Sequence, residues 1–421
     1  MNKTIAMVFA GGRVSELSAL TEKRPKAAVV MGGCYRTVDF ALSNLADTGI
    51  GRVGILAQYR PASLMDHVAS GVAWDLVGTN RQLRFLPPYM GPETADWYRG
   101  PADALFQNLD FIERSDAEHV LVVSGDHANR MSYEPLIHIH KEHDADLTIA
   151  FTPRPDDSSR FGIGELNALG QIVNFTEKPE YPRTHLASMS VYLFSRHVLL
   201  DELRRAITSS GEDCRFQIHE VMRQMIPRRR AYGWIYHGPW HYTRSIDEYL
   251  QFHQDLLGAQ PKIDLDAWEV RSNFLARRSA PPAPTRQLPG SHVENCLISP
   301  GCMIAGTVRN SVLSPGVRIE AGASVVDSIL LDDVVVETGA KLDRVISDKR
   351  TWFGPECTVG DGPTVVSKEM PNSLKSGATL VAADLRIPPK ARIGRGCIIH
   401  HGVPASAMEK PLASGQSLSS R

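Results

Sequence analysis

Short apolar runs alternate with helical patterns over the first part of the chain. The runs IAMVFAGG (5–12), RVGILAQ (52–58) and HVLVVSGD (119–126) favour β-strands, because their apolar residues recur too closely for a helix. The segments 36–49 and 102–115 show helical patterns instead. This alternation predicts an α/β domain with a mainly parallel sheet. Ligands of such sheets bind beyond the carboxyl ends of the strands, where the AGG and SGDH turns lie.

The pattern changes after about residue 255. A polar, proline-rich run over 278–294 is typical of a linker. Beyond it, apolar or small residues fall six apart at Val317, Ala323, Ile329 and Val335, and the pattern resumes over 385–403 after an interruption. A six-residue period is typical of a left-handed parallel β-helix. The alternative, an irregular β-sandwich, would show a period of two.

These patterns predict four parts. They are an α/β domain over 1–258, a linker over 259–292, a left-handed β-helix over 293–405 and a flexible tail over 406–421. A net charge of -1 gives no basic excess for nucleic acid. The six cysteines are scattered without CxxC spacing, and no apolar run approaches the ~20 residues of a membrane span. We therefore expect a cytoplasmic protein with free thiols.

Two turns at the predicted ligand edge carry candidate chemistry. Gly11 and Gly12 would let a phosphate chain approach the backbone, and Lys26 supplies a cation. The alternative is a plain strand-to-helix turn with surface lysines. Asp126, at the end of a buried strand, suits a Mg²⁺ ligand or an orienting group, the alternative being a helix cap.

Two further stretches are ambiguous when taken alone. In NFTEKP, Glu177 could bind sugar hydroxyls and Lys178 a sugar's phosphate, or the two could form an exposed ion pair. In WYRGPADALFQN, Asp103 lies at a helix start, where a cap and a hydrophobic staple are the alternative.

Together and in this order, these stretches resemble the sugar-phosphate nucleotidyltransferases, specifically the ADP-glucose pyrophosphorylase (glucose-1-phosphate adenylyltransferase) family. The matching stretches are KRPKAAVVMGGCYRTVDFALSNLADTGI, WYRGPADALFQNLDFI, SGDH, FTEKP and LASMSVYLF, followed by the β-helix pattern. The resemblance covers about residues 5–360. It implies a Rossmann-like catalytic domain, a β-helix domain, a homotetramer, a part in glycogen or α-glucan synthesis and control by a small anionic effector. The implied reaction converts ATP and glucose 1-phosphate into ADP-glucose and pyrophosphate with Mg²⁺.

The resemblance also implies a role for each residue at a matching position. The implied catalytic residues are Lys26 and Asp126, with Asp126 as the metal ligand. The implied nucleotide-binding residues are Gly11, Gly12, Arg13 and Asp103. The implied sugar-phosphate-binding residues are Tyr98, Gly100, Gly162, Glu177, Lys178 and Ser188.

Six positions depart from the family pattern: Pro101 replaces a threonine, Ser190 replaces a glycine, and four others fall in the ATP half of the site. The family loop GGxGxRL reads GGRVSEL here, so that Val14 replaces the third glycine and Glu16 replaces the arginine that grips the triphosphate. Two unit charges ~4 Å apart interact by about 4 kcal/mol at an effective dielectric of about 20, so the exchange should cost several kcal/mol. Tyr242 replaces the aspartate that supplies the second metal-binding carboxylate in the family, and Tyr89 replaces the glutamine that the family places near the adenine. These changes predict damage to the ATP half of the site.

The sugar-phosphate positions persist, which predicts a binding and regulatory subunit with little turnover by itself. Such a subunit would form a homotetramer or join a catalytic paralogue. A fully active adenylyltransferase that uses Arg13 and another carboxylate is the main alternative. A transferase for another nucleotide or sugar is a third hypothesis. The fourth is a hexapeptide acyltransferase, for which His400-His401 would supply the catalytic histidine.

Overall fold

A computed structural model describes residues 3–12, 14–88, 97–154, 158–209, 216–274 and 283–420, with side chains omitted for 207–209. The chain forms two compact units. Unit 1 comprises residues 1–12 and 38–240, and unit 2 comprises residues 13–37 and 241–421. This division differs from the contiguous boundary predicted at residue 258. The reason is that loop 13–37 packs with the C-terminal part of the chain, for example through the buried ion pair between Arg24 and Asp348.

Unit 1 is built on a nine-stranded sheet. In chain order its strands are Thr4–Phe9, Arg52–Leu56, Gln82–Leu86, His119–Ser124, Leu147–Pro153, Gly162–Leu166, Ile172–Glu177, Leu186–Ser195 and Ala231–Ile235. The first four strands pair in parallel, with Thr4–Phe9 between Arg52–Leu56 and His119–Ser124. Strand Leu186–Ser195 pairs antiparallel with its neighbours, so the sheet is mixed rather than mainly parallel. The central strands are buried on both faces, which explains their continuous apolar runs.

Seven α-helices accompany this sheet among the described residues. They are Thr37–Asp47, whose first residue belongs to unit 2, and Ala62–Val68, Pro101–Gln107, Leu109–Glu113, Glu134–Glu142, Arg196–Ser209 and Ile218–Met225. Short 3₁₀ turns occur at Val72–Trp74, Ser158–Arg160 and Ile226–Arg228, and a two-residue strand at Ala128–Asn129. No helix among the described residues is long and apolar enough to cross a membrane.

Unit 2 is dominated by three parallel sheets, in agreement with the predicted left-handed β-helix. The first contains Arg286–Gln287, Met303–Ile304, Arg318–Ile319, Val335–Val336, Trp352–Phe353 and Arg386–Ile387. The second contains His292–Glu294, Thr307–Arg309, Ser324–Val326, Lys341–Asp343, Thr358–Asp361 and Arg392–Gly394. The third contains Leu297–Ile298, Val312–Leu313, Ile329–Leu330, Val345–Ser347, Thr379–Val381, Ile398–Ile399 and Ser417–Leu418. Within the first sheet, Arg318 pairs with Val335 and Val335 pairs with Trp352, so each turn of the coil places one strand beside the strand of the turn before.

The ends of the β-helix differ from the predicted boundaries. Strand Arg286–Gln287 already belongs to the coil, inside the predicted linker. The predicted flexible tail contains a 3₁₀ turn, Ala405–Met408, and strand Ser417–Leu418, which pairs with Ile398–Ile399. The polar composition of the tail gave no apolar pattern that would predict a strand. A two-residue strand can form without one, because it needs only backbone hydrogen-bond partners. The insertion 362–378 lies within one turn of the coil, between strand Thr358–Asp361 of the second sheet and strand Thr379–Val381 of the third, which explains the interrupted six-residue pattern.

The remaining elements of unit 2 come from loop 13–37 and from the segment that follows residue 240. They are the 3₁₀ turns Ser18–Leu20 and Lys26–Ala28, the paired strands Val30–Met31 and Tyr35–Arg36, and helix Ile246–Gln254. Strand Trp240–His241 spans the division between the units. Ser245 caps the helix, because its Oγ accepts a hydrogen bond from the Glu248 amide at 3.0 Å.

Candidate functional site

The Gly11-Gly12 turn lies at the edge of the sheet where sequence analysis placed a ligand. Phe9 pairs with Ser124, so this turn and the turn at Asp126 follow adjacent strand ends. A Cβ atom at Gly11 would lie 2.7 Å from the Gln58 amide nitrogen, which makes glycine necessary there. A Cβ atom at Gly12 would meet nothing within 4 Å. The second glycine therefore leaves open space for a ligand beside the backbone.

Asp126 is held by side chains on both sides. Its Oδ1 accepts a short hydrogen bond from the Ser124 hydroxyl and lies 3.4 Å from His127 Nε2. Trp240 Nε1 donates to His127 Nδ1 at 3.2 Å, so the proton of a neutral His127 ring lies on Nε2, facing Asp126. The carboxylate keeps 18% of its side chain exposed and therefore remains accessible to a ligand.

In unit 2, four side chains form a stack that we call the cation stack: Lys26, Tyr242, Arg244 and Glu16. Lys26 is buried, and its Nζ lies 3.8 Å from the centre of the Tyr242 ring. Arg244 Cζ lies 5.5 Å from the same ring, and Arg244 Nη2 lies 3.7 Å from Glu16 Oε1. Cations are attracted to an aromatic ring face, and a carboxylate neutralises part of their charge. The two altered positions, Glu16 and Tyr242, thus belong to one cluster.

Neither carboxylate that follows Tyr242 is available to replace the missing metal ligand. Asp247 Oδ2 accepts the Lys375 amide at 2.7 Å, and its Oδ1 accepts the Ser376 amide at 3.2 Å. Glu248 Oε2 accepts the Arg244 amide at 2.5 Å. Among the described residues, no three His, Cys, Asp or Glu side chains form a group that could hold a metal ion.

Gly162, Glu177 and Ser188 come together on three neighbouring strands of unit 1. Gly162 pairs with Glu177, and Ile163 pairs with Ala187, so Gly162 lies between Glu177 and Ser188. A Cβ atom at Gly162 would lie 2.9 Å from Glu177 Oε2 and 2.6 Å from the Phe175 ring. The glycine therefore makes room for the carboxylate.

Sequence analysis did not identify Tyr192, although it lies within the quoted stretch LASMSVYLF. Ser188 Oγ donates to the Tyr192 hydroxyl at 3.5 Å. Burial and, to a lesser degree, the Glu177 carboxylate raise the pKa of Tyr192, which stays a neutral hydroxyl. The backbone kinks here because Ser190 has a φ of 55°, a conformation that favours the glycine found in the family. The result is a carboxylate and two hydroxyls in one region.

Lys178 lies beside this region. Its Nζ is 3.6 Å from Glu177 Oε1, and 55% of its side chain is exposed. The pair is thus a surface ion pair in the structure, as the alternative interpretation held, and it also leaves the ammonium group accessible to an anion. Such exposed pairs contribute little to stability, so their separation by a ligand would cost little.

Three further predicted site residues make structural contacts. The Tyr98 hydroxyl donates to the Leu86 carbonyl at 2.8 Å and accepts from Asn108. A Cβ atom at Gly100 would lie 2.3 Å from the Phe216 carbonyl oxygen. Asp103 is buried in the first turn of the helix and accepts the Arg99 amide at 2.9 Å, whereas the N-cap position itself is Gly100. These residues fix the chain around helix Pro101–Gln107.

Two predicted positions, Arg13 and Tyr89, lie outside the described residues. Val14 is described, and its carbonyl accepts the Thr21 hydroxyl at 2.7 Å within loop 13–37. Arg244 was missed by sequence analysis, although it lies only two residues after Tyr242. Its role depends on a contact with Glu16, more than two hundred residues away, which no local pattern indicates.

Comparison with known proteins finds close similarity over most of the chain. Residues 5–258 match the family described as Nucleotidyl transferase, and residues 284–381 match the GlmU-like, C-terminal hexapeptide family. Proteins named glucose-1-phosphate adenylyltransferase are similar along almost their whole length. One from Thermomicrobium roseum is 40% identical over 95% of this chain and 93% of its own. Those from Acetivibrio thermocellus and Thermotoga maritima are 34% and 36% identical, over 94% and 99% of this chain and 92% and 98% of their own.

Proposed function

Because the chain belongs to the glucose-1-phosphate adenylyltransferase family of nucleotidyl transferases, we propose that it binds a sugar phosphate but transfers adenylyl groups slowly or not at all by itself. The observation that carries this proposal is the cation stack. Glu16 lies 3.7 Å from Arg244, and Lys26 faces the Tyr242 ring. The cations that a triphosphate needs thus already have partners within the chain.

The charge of the stack explains why ATP would be bound weakly. Lys26 and Arg244 carry two positive charges, and Glu16 carries one negative charge among them. A triphosphate must displace Glu16 from Arg244 or bind beside a carboxylate of like charge. Stabilisation of charge that develops in the transition state is usually the largest contribution to catalysis, so the loss affects turnover as well as binding.

The residues do not fit a resident Mg²⁺ ion of the two-carboxylate type. Asp126 offers one carboxylate, whereas the second position is Tyr242, whose ring already faces an ammonium group at 3.8 Å. Mg²⁺ prefers carboxylate, phosphate and water oxygens, and the Lys26 ammonium beside Tyr242 repels a second cation. We propose that Mg²⁺ enters, where it enters at all, as part of the Mg·ATP substrate.

The sugar-phosphate half retains the groups that such a ligand requires. Glu177 can accept hydrogen bonds from two neighbouring hydroxyls of a sugar, and the hydroxyls of Ser188 and Tyr192 can complete the set. Lys178 supplies a positive charge for the phosphate. The proposed ligand is glucose 1-phosphate or a related sugar phosphate, and the proposed physiological role is regulation of glycogen or α-glucan synthesis.

We expect glucose 1-phosphate to bind more tightly than ATP in calorimetric titrations. Glu177→Gln should weaken sugar-phosphate binding about 10- to 100-fold, because a hydrogen bond to a charged acceptor contributes about 1.5–3 kcal/mol. Gly162→Ala should weaken it as well, since the added methyl group meets the Glu177 carboxylate. Glu165→Gln, on the strand Gly162–Leu166 that carries Gly162, is the matched control, and this variant should bind glucose 1-phosphate like the parent. Tight ATP binding without sugar-phosphate binding would contradict the proposed division of the site.

One observation favours the main alternative, a fully active adenylyltransferase. Arg244 provides a cation next to the position that lost one, and its 3.7 Å separation from Glu16 is longer than a hydrogen bond. If ATP displaces Glu16, Arg244 could bind the triphosphate in place of the missing arginine. Arg244→Ala would then abolish pyrophosphate release, whereas in the favoured account there is little release to abolish.

We also propose that the chain assembles into a homotetramer or a hetero-oligomer with a catalytic paralogue. The support is the β-helix: among the described residues, strands Arg286–Gln287, His292–Glu294 and Leu297–Ile298 are the edge strands of its three sheets, and edge strands can pair with another chain. We expect light scattering at micromolar concentration to give a mass of several chains. A monomer of 46.4 kDa under those conditions would contradict the proposal.

A further inference from the structure

His400 lies between two carboxylates in unit 2. Its Nδ1 makes a short hydrogen bond to Glu22 of loop 13–37, and its Nε2 lies 2.9 and 3.0 Å from the two carboxylate oxygens of Glu369. A neutral imidazole has one N–H, so it can donate to only one of two ionised carboxylates. The imidazolium has two and can donate to both. The arrangement therefore suits the protonated ring.

The neighbouring histidine supports the same loop. His401 Nε2 donates to the Ala19 carbonyl at 3.1 Å, within the turn that precedes Glu22. Burial lowers the pKa of His401, so this ring is neutral and the contact does not change near neutral pH. Thus one histidine provides a constant contact to the loop, and the other provides a contact that depends on protonation.

Glu369 belongs to insertion 362–378, which is attached in turn to helix Ile246–Gln254. Asp247 accepts the backbone amides of Lys375 and Ser376 at 2.7 and 3.2 Å. Asp247 lies three residues after Arg244, and Glu22 lies between Glu16 and Lys26. His400 therefore contacts loop 13–37, which carries Glu16 and Lys26, through Glu22, and it is linked to the segment of Tyr242 and Arg244 indirectly, through Glu369, the insertion and Asp247.

We propose that His400 is a protonation-dependent clamp that holds loop 13–37 and insertion 362–378 together and so keeps the cation stack assembled. Glu22 and Glu369 face the ring, and the charged or titratable groups around the adjacent His401 are Lys23, Asp348 and Glu22. Only the effect on nucleotide binding rests on the proposed function. The clamp itself rests on contacts of His400 within unit 2.

The sign of the pH dependence follows from these partners. Burial by itself lowers the pKa of His400, but its hydrogen bonds to Glu369 and Glu22 and the charge of these carboxylates outweigh burial and raise the pKa above its usual value of 6.5. A raised pKa in the folded state means that the clamp is complete at low pH. One of its two hydrogen bonds is lost as the pH rises through the raised pKa.

The test combines histidine NMR with hydrogen exchange on the full-length chain. We expect the His400 resonance, assigned by its loss in His400→Gln, to titrate above 6.5, and Glu22→Gln and Glu369→Gln each to lower that midpoint. Amides of residues 17–25 and 367–376 should lose protection at least about fivefold across the same pH range, after correction for intrinsic exchange. His400→Gln should remove this pH dependence.

His138→Gln is the matched control, because His138 pairs with Glu142 on an exposed helix and 79% of its side chain is accessible. It should leave the protection of both segments unchanged. A His400 midpoint at or below 6.5, or protection that does not change with pH in the parent chain, would overturn the clamp. Because both measurements omit nucleotide, they can fail while the proposed function holds. If His400→Gln does not fold, the His400 resonance is assigned instead by its shift in both Glu22→Gln and Glu369→Gln, and the parent titration still decides.

Discussion

Glu16→Arg combined with Tyr242→Asp should raise pyrophosphate release from ATP and glucose 1-phosphate at least about tenfold over the parent chain. The double change returns an arginine to the loop and a carboxylate to the position that now carries Tyr242. Gly11, Gly12, Lys26 and Asp126 are still present. In the parent, Lys26 and Arg244 are engaged by Tyr242 and Glu16, and the double change replaces the aromatic ring by a carboxylate and the Glu16 carboxylate by a cation.

The two changes should act together rather than additively. Glu16→Arg alone places a third cation near Arg244 and Lys26, so it should improve ATP binding but strain the cluster. Tyr242→Asp alone gives Lys26 and Arg244 a new carboxylate partner while Glu16 still repels the triphosphate, so it should do little. Residues that share partners commonly show coupling energies of about 0.5–3 kcal/mol, which a double-mutant cycle measures.

A matched control changes the same residue types at exposed positions. Glu142→Arg with Tyr181→Asp alters charge equally, and the Tyr181 side chain is 83% exposed. This control should leave pyrophosphate release at the level of the parent. If the folded double variant is as inactive as the parent, other positions limit turnover, and Tyr89 and Pro101 are the next positions to change. If the parent is active and Glu16→Arg weakens it, Glu16 belongs to a working site.

Asp348→Asn should lower the free energy of unfolding by about 3–5 kcal/mol, because it leaves a buried guanidinium group without its counter-charge. Arg24 Nη2 lies 2.6 Å from Asp348 Oδ2, and the two side chains are 9% and 0% exposed. Arg24 Nη1 has no hydrogen-bond partner among the described residues. Chemical denaturation followed by circular dichroism measures the change, provided that unfolding is reversible.

Two comparisons separate charge from packing in this result. Asp384→Asn breaks the exposed pair with Arg350 and should cost no more than about 1 kcal/mol, since both side chains are about half exposed. Arg24→Met with Asp348→Leu removes both buried charges and should be much less harmful than Asp348→Asn. Equal losses for Asp348→Asn and Asp384→Asn would show that the buried pair does not hold loop 13–37 as described.

Much of the fold could be predicted from periodicity. The strands at 4–9, 52–56 and 119–124 and the six-residue repeat are local patterns, and local patterns fix local structure. The antiparallel half of the sheet was missed because pairing direction depends on connections that no short run of residues encodes. The strand at Ser417–Leu418 was missed because its partner, Ile398–Ile399, lies outside its own segment.

The candidate site was predictable as a set of positions but not as a set of contacts. The family resemblance identified Glu16 and Tyr242 as altered, and it treated them as two separate losses. The structure joins them through Arg244, which lies 3.7 Å from Glu16 and 5.5 Å from the Tyr242 ring. Likewise Asp103 lies at a position that matches the family, and only the structure shows that its carboxylate accepts the Arg99 amide. Such contacts depend on distances between residues far apart in sequence.

Pyrophosphate release by the purified parent chain tests the central claim most directly. The assay contains ATP, glucose 1-phosphate and Mg²⁺, with protein whose folding is verified by circular dichroism and whose glucose 1-phosphate binding is verified by calorimetry. Because Glu16 opposes the triphosphate and Tyr242 offers no carboxylate, we expect a rate far below ~1 s⁻¹, the lower end of the ordinary enzyme range. A rate of ~1 s⁻¹ or above would contradict the account and establish a working adenylyltransferase with a rearranged ATP site.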